Sequence, residues 1–284
     1  MKIQRPPGFQ NPRPMLPVTV VIITKNECKN IVACINSARL ISNDIIVVDA
    51  ESEDETAVLA TVERATVINL KWNGYGNSRN IGAAAAQYNW ILSLDADERI
   101  TPFFAEQLHQ HFKDDAAIVY GFRRRNFFAC VEIRYGALGR DKIFRLYNRN
   151  VAEWDKSPVH EKLIGSFNRK YLNLSIDHYT IKDQIHYEIK SMRYAYLCAT
   201  KYFDEGRTAP YVKRQFASRF NFLKSYLFLL GFLDGKRGLA VAKVNAHYTC
   251  LKYHHLHQLT TEQSQLKEPD RTPSFRFSFH SSLK

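Results

Sequence analysis

The patterned part of the chain begins with Val18–Thr24, a β-branched run that predicts a strand. A helix follows from about Glu27 to Leu40, with Ile31, Cys34, Ile35 and Ala38 at helical spacing. Asp44–Asp49 predicts a second, buried strand, and Asp54 then stands as the N-cap of a helix reaching about Arg64. Thr66–Leu70 reads as a third strand and Asn77–Gln87 as an alanine-rich helix. Trp90–Leu94 reads as a fourth strand, and Pro102–Phe112 as a helix with proline in its first turn. Short apolar strands alternating with helices predict an α/β fold whose mostly parallel sheet has right-handed crossovers.

The pattern then changes. Ile118–Phe122, Val131–Tyr135, Ile143–Tyr147 and Tyr171–Ile176 are strand-like with little helix between them, and from Lys182 the periodicity is helical for about 75 residues. The expected organisation is a disordered arm over 1–17, which holds five prolines, an α/β half over 18–115 and a strand-rich half over 116–181. A helical region over 182–259 and a polar, disordered tail over 260–284 complete it.

Charge sharpens this division. Residues 1–120 carry 11 Lys/Arg against 14 Asp/Glu, whereas residues 121–284 carry 29 against 14. The second half therefore faces something anionic or serves solubility. The five cysteines are odd in number, scattered and without a CxxC pair, which points to free thiols in a reducing cytoplasm and gives no support for zinc. The first residues lack the apolar core of a secretory signal, and no run of about 18 uncharged apolar residues predicts a membrane span.

The chemistry concentrates where predicted strands end. Thr24–Glu27 follows the first strand, Asp49–Asp54 the second, and Asp95-Ala96-Asp97-Glu98 the fourth. Taken singly these are caps and solvated turns, but ligands of open α/β sheets bind outside the carboxyl ends of the strands. The paired carboxylates Asp95 and Asp97 repel each other, and a divalent cation carrying a diphosphate would compensate them. There is no GxGxxG after the first strand and no GxxxxGK[ST] motif, which argues against Rossmann dinucleotide and P-loop chemistry.

In this order, Val20–Glu27, Ile46–Asp49, Trp72–Asn80, Trp90–Arg99, Arg125–Phe128, Val159–Glu161 and Gly231–Gly238 resemble glycosyltransferase family 2, the inverting GT-A enzymes. The likeness is greatest to the lipopolysaccharide core β-1,4-glucosyltransferase-like subgroup and covers roughly residues 18–257. It implies a GT-A, Rossmann-like sheet with an acidic Asp-x-Asp edge. It also implies transfer of a hexose from a nucleoside-diphosphate sugar, a UDP-sugar, to a lipid-linked or phosphorylated cell-envelope glycan, with Mg²⁺ or Mn²⁺ as cofactor. Thr24, Asn26 and Glu27 would line the nucleoside pocket, Asp49 would accept from the base, and Arg79 would lie near the base or diphosphate. Asp95 would approach the ribose or sugar, Asp97 would bind the metal, and His160 or His178 would complete the metal shell. Glu161 would be the catalytic base, with Asp141 as runner-up; Arg140, Lys142 and Arg145 offer charge for a phosphate. The chain departs from the family at Glu51, which replaces a loop glycine able to take positive φ freely.

In the helical region, Phe222–Leu233 is apolar apart from Lys224 and is flanked by Lys213, Arg214, Arg219, Lys236 and Arg237. Too short and charged to span a bilayer, it suits a helix lying on an anionic membrane surface, and so a cytoplasmic, peripheral protein. Two other classes compete. A metal-dependent nucleotidyltransferase would share the acidic edge but needs a glycine-rich first loop, which Thr24–Glu27 lacks. A nucleic-acid binder would use the arginines and aromatics of Phe122–Phe128 but leaves the acidic strand ends without a role.

Overall fold

The computed structural model describes residues 15–157 and 161–267. Three strands form the centre: β1 (Val18–Thr24), β2 (Ile45–Asp49) and β4 (Trp90–Asp95), almost every residue of which is buried. Such two-sided burial is why these runs are apolar throughout rather than alternating. With β3 (Thr66–Asn69) they pair in parallel in the order β3-β2-β1-β4. Register aligns their ends: Asp49 stands beside Thr24, and Asp95 beside Ile23. The three acidic loops thus emerge together where the chain reverses its direction across the sheet.

One face of the sheet is covered by α1 (Ile31–Ala38), α2 (Thr56–Val62) and α4 (Pro102–His111), which bury Ile35, Ala60 and Phe104 against Val20, Ile22 and Leu92. The other is covered by α3 (Tyr75–Ala84) and by a small hairpin of β9 (Ala152–Trp154) and β10 (Leu163–Gly165). Beyond β4 the sheet turns mixed, continuing through β8 (Lys142–Asn148), β6 (Ile118–Phe128) and β11 (Asn168–Ile181) to β5 (Glu98–Arg99), with β7 (Val131–Ile133) paired to β6. This is the α/β class expected, with a helical region after it.

Several boundaries differ from the expectation. Strands β6 and β11 run well past 122 and 176, because the arginines that break the apolar pattern find acid partners: Arg124 pairs with Asp141, and Arg125 with Asp177 at 2.5 Å. Local pattern does not reveal such pairs. The helical region consists of α5 (Gln184–Asp204), α6 (Tyr211–Leu223), a π-helical stretch Lys224–Phe228, a 3-10 turn Gly231–Asp234 and α7 (Gly235–Lys267). Helix α7 therefore continues past residue 260, where a disordered tail is expected; nothing in 260–267 breaks a helix, since it holds neither glycine nor proline. Phe128, Ile133, Ile181, Tyr187, Val241 and Val244 pack the helices onto the strand-rich half. No helix among the described residues is long and apolar enough to cross a membrane.

Candidate functional site

A cavity of about 1170 Å³ opens over the carboxyl ends of β1 and β4. Its wall includes Thr24, Asn26 and Glu27 from the first loop, Asp95 and Asp97 from the β4 loop, Arg145 from β8 and Glu161 from the segment before β10. Helix α5 closes it with Lys190, Arg193 and Tyr194.

The first loop is tied to the second. Asn26, at φ 55°, accepts on Oδ1 from the Glu53 amide at 2.8 Å and donates its own amide to Ser52 Oγ at 2.8 Å. Glu51 adopts φ 53°, so the loop keeps the left-handed turn that glycine would take without strain. Asp49 is buried, with both carboxylate oxygens accepting from Ser52, at 2.8 Å from the amide and 2.6 Å from the hydroxyl. It supports the loop from below, between Val48 and Ala50 of the cavity wall. Thr24 Oγ1 is buried without a partner among the described residues, an arrangement that suits a ligand hydroxyl or phosphate.

Asp95 is compensated by the protein itself. Arg79 Nη2 lies 2.6 Å from Oδ1, Arg145 Nη2 lies 2.8 Å from Oδ2, and Arg124 stands 3.8 Å away. Burial would raise this carboxyl, but the Arg145 and Arg79 guanidiniums outweigh it and hold it well below the usual range. The positive charge that this member needs is thus supplied by arginines. Buried Glu98 organises the arginines from beneath, accepting from Arg124 at 3.2 Å and from the Asp95 amide at 2.9 Å.

Arg79 is only 2% exposed. Besides Asp95 it donates to Ser93 Oγ and, through Nε, to Glu161 Oε1 at 3.2 Å. Its charge is held within the cavity wall by these three acceptors. It reaches this depth because Gly76, in the first turn of α3, lets the helix approach the Asp155 backbone: a Cβ there would meet the Asp155 carbonyl oxygen at 2.0 Å. The runner-up base, Asp141, is turned away. Its Oδ2 accepts from Arg124 Nε at 2.7 Å and Nη2 at 2.6 Å, and it does not line the cavity.

Asp97 has different neighbours. His178 Nε2 lies 3.3 Å from Oδ1, and Lys190 Nζ lies 3.4 Å from Oδ2. Burial opposes its ionisation, yet His178 and Lys190 keep the carboxyl well below its ordinary value. The pairing of β5 with β11 sets this geometry by placing His178 opposite Glu98. Asn126 Nδ2 donates to the Leu138 carbonyl at 2.8 Å, so its Oδ1 must accept the proton on His178 Nδ1 at 2.6 Å. That leaves Nε2 aimed at Asp97. Asp97 and His178 fit a divalent cation as two ligands. No group of three His, Cys, Asp or Glu able to hold one exists among the described residues, so the remaining positions would fall to water and ligand oxygens. His160 lies outside the described residues.

Sequence reasoning missed Arg124, Glu98, Lys190, Trp154 and Tyr194. Lys190 and Tyr194 are ordinary helical positions until α5 folds over the cavity, where Tyr194 stacks on Tyr75 with hydroxyls 2.8 Å apart. Trp154 lies beneath Arg79, 5.0 Å from its guanidinium carbon. Arg145 keeps Nε and Nη1 buried at the cavity wall without a partner among the described residues, two N–H edges suited to an anion.

The model of the family described as Glycosyl transferase family 2 matches residues 19–172. An uncharacterized glycosyltransferase of Rickettsia bellii is 28% identical over 166 residues, 54% of this chain and 53% of that protein. The chain thus spans about half the length of the rickettsial relatives it matches. The lipopolysaccharide core biosynthesis glycosyltransferase LpsC of Rhizobium meliloti is 27% identical over 256 residues, 82% of this chain and 92% of that protein. Among solved structures, glucosyl-3-phosphoglycerate synthase from Mycobacterium tuberculosis, in complex with Mn²⁺, UDP-glucose and phosphoglyceric acid, is 22% identical. The match covers 38% of this chain and 43% of that one, with a TM-score of 0.33.

Proposed function

The chain belongs to glycosyltransferase family 2, and from that premise we propose that it moves a hexose from a UDP-sugar to a glycan of the lipopolysaccharide-core type. One observation carries this reading: Thr24, Asn26, Glu27, Asp97 and His178, far apart in sequence, converge on one cavity at the acidic sheet edge. Similarity to LpsC over most of both chains supports the acceptor class.

In this reading the first loop receives the nucleoside, with Thr24 Oγ1 supplying a buried partner for a donor hydroxyl or phosphate. The diphosphate lies toward Asp97, within reach of Lys190 and the unpartnered edges of Arg145. Mg²⁺ or Mn²⁺ held by Asp97 and His178 would neutralise the departing diphosphate. Glu161 removes the proton from the acceptor hydroxyl as that oxygen bonds to the anomeric carbon and the diphosphate departs from the opposite face, inverting the centre. Arg79 fixes the Glu161 carboxylate through Oε1. A nucleotidyltransferase is disfavoured because the first loop, Thr24–Glu27, holds no glycine with which to cradle a triphosphate.

A screen of nucleotide sugars with Mn²⁺ or Mg²⁺, following nucleotide release by slow donor hydrolysis, tests the reading. At least one UDP-sugar should turn over, and EDTA should abolish it; no turnover together with no metal-dependent nucleotide binding would refute it. Glu161→Gln should bind donor normally while slowing transfer about 10²–10⁴-fold, the usual contribution of a positioned base. Unchanged transfer would move the base elsewhere.

A further inference from the structure

Helix α6 is built inside out. Its small polar residues face the protein: Ser218 Oγ donates to the Ala246 carbonyl at 2.8 Å, and Asn221 Nδ2 donates to Thr249 Oγ1 at 2.6 Å, both on α7. Its large apolar residues face outward. Val212, Phe216, Phe220 and Leu223 recur at helical spacing and are exposed, and the π-helical stretch extends the row with Leu227 and Phe228. Phe220 is 61% exposed and Phe228 71%. The following 3-10 turn adds exposed Phe232 and Leu233. A run of outward aromatics this long is not the scattered apolar residue of an ordinary surface.

The charges around the row identify its partner. Residues 206–261 hold nine Lys/Arg and one acid, Asp234. Asp234 is already engaged, accepting from the Arg134 and Tyr135 amides at 3.2 and 2.9 Å. Helical spacing sets Lys213 and Lys224 along one border of the row and Arg219 along the other, all exposed. A second copy of the chain is a poor occupant, because a two-fold interface would bring these basic borders together without compensating acids. A bilayer of anionic phospholipid complements both features, taking the aromatics into the acyl boundary and the ammonium and guanidinium groups to its phosphates. We propose that the outward face running from Val212 to Leu233 is a docking surface for an anionic membrane. It stands independently of which sugar is moved.

Sedimentation of the full chain with phosphatidylcholine vesicles, with and without phosphatidylglycerol, tests this. Binding should require phosphatidylglycerol and weaken with salt. Lys213→Gln with Lys224→Gln should lower the partition coefficient roughly 25-fold, since each basic group near the surface contributes about fivefold. Phe220→Ser with Phe228→Ser should abolish binding while leaving the circular-dichroism melt and the donor hydrolysis rate in solution unchanged. A Phe228→Trp variant should show a blue-shifted emission on the anionic vesicles only. Equal binding to both vesicle types, no binding, or a serine variant that changes only self-association in sedimentation velocity would each overturn the proposal. Apart from the donor hydrolysis control, none of these readouts depends on donor turnover, so a failed donor screen leaves this result standing.

Discussion

Removing Arg79 tests the central claim about the cavity wall, that an internal cation rather than a bound ion neutralises Asp95 and holds Glu161. The guanidinium is 2% exposed, whereas the carboxylates it serves are 26% and 14% exposed. Breaking a fully buried pair by deleting one partner costs about 3–5 kcal/mol, because the other charge is left uncompensated. Asp95 retains Arg145 at 2.8 Å, and both carboxylates keep some water, which places Arg79→Met at the low end, about 3 kcal/mol. For an m-value near 3 kcal/mol/M this is a fall of roughly 1 M in the urea midpoint with an unchanged slope. A thermodynamic cycle with Glu161→Gln isolates the contact. Once the guanidinium is gone, neutralising Glu161 removes an unpaired charge, so the double variant should be more stable than the sum of the singles by ~1 kcal/mol or more. A midpoint shift under about 0.3 M, or additive singles, would refute the bridge and leave Arg79 as a solvated side chain.

Two further outcomes follow from the same geometry. Asn126→Leu removes the acceptor that orients His178, and should weaken Mn²⁺ binding in the presence of UDP by about 10–100-fold in calorimetric titration; unchanged affinity would remove His178 from the metal shell. Burial tends to raise the Asp54 carboxyl, but hydrogen bonds from Thr56 and Cys28 bring it down to about 2. A depressed folded-state value contributes stability above the unfolded value of about 4, and that contribution disappears as pH falls toward 2. Thermal melts should therefore fall more steeply between pH 4 and 2 for the unsubstituted chain than for Asp54→Asn. Parallel slopes would contradict the tether.

The sequence by itself determined what depends on short-range pattern. Runs such as Val18–Thr24 and Trp90–Asp95 are apolar on both faces, which in water permits little but a covered strand, so the parallel core and its acidic ends were legible. Their ordered motifs also pointed to the family, and the register of β1 with β2 and β4 brought the acidic ends together as expected. Tertiary structure decided the electrical roles. Asp95 and Asp97 are neighbours with nearly the same local sequence, yet one is surrounded by Arg79, Arg124 and Arg145 and the other by His178 and Lys190. Those partners come from α3, β6, β8, β11 and α5, and no local signal marks them, because a Coulomb interaction depends on spatial distance and dielectric rather than on separation along the chain. Asp49 and Asp141 look like site residues for the same reason that Asp97 does, and only packing shows that their carboxylates are directed to Ser52 and Arg124. The outward face of α6 is intermediate: its composition was visible in the chain, but which side meets α7 was set by the hydrogen bonds of Ser218 and Asn221.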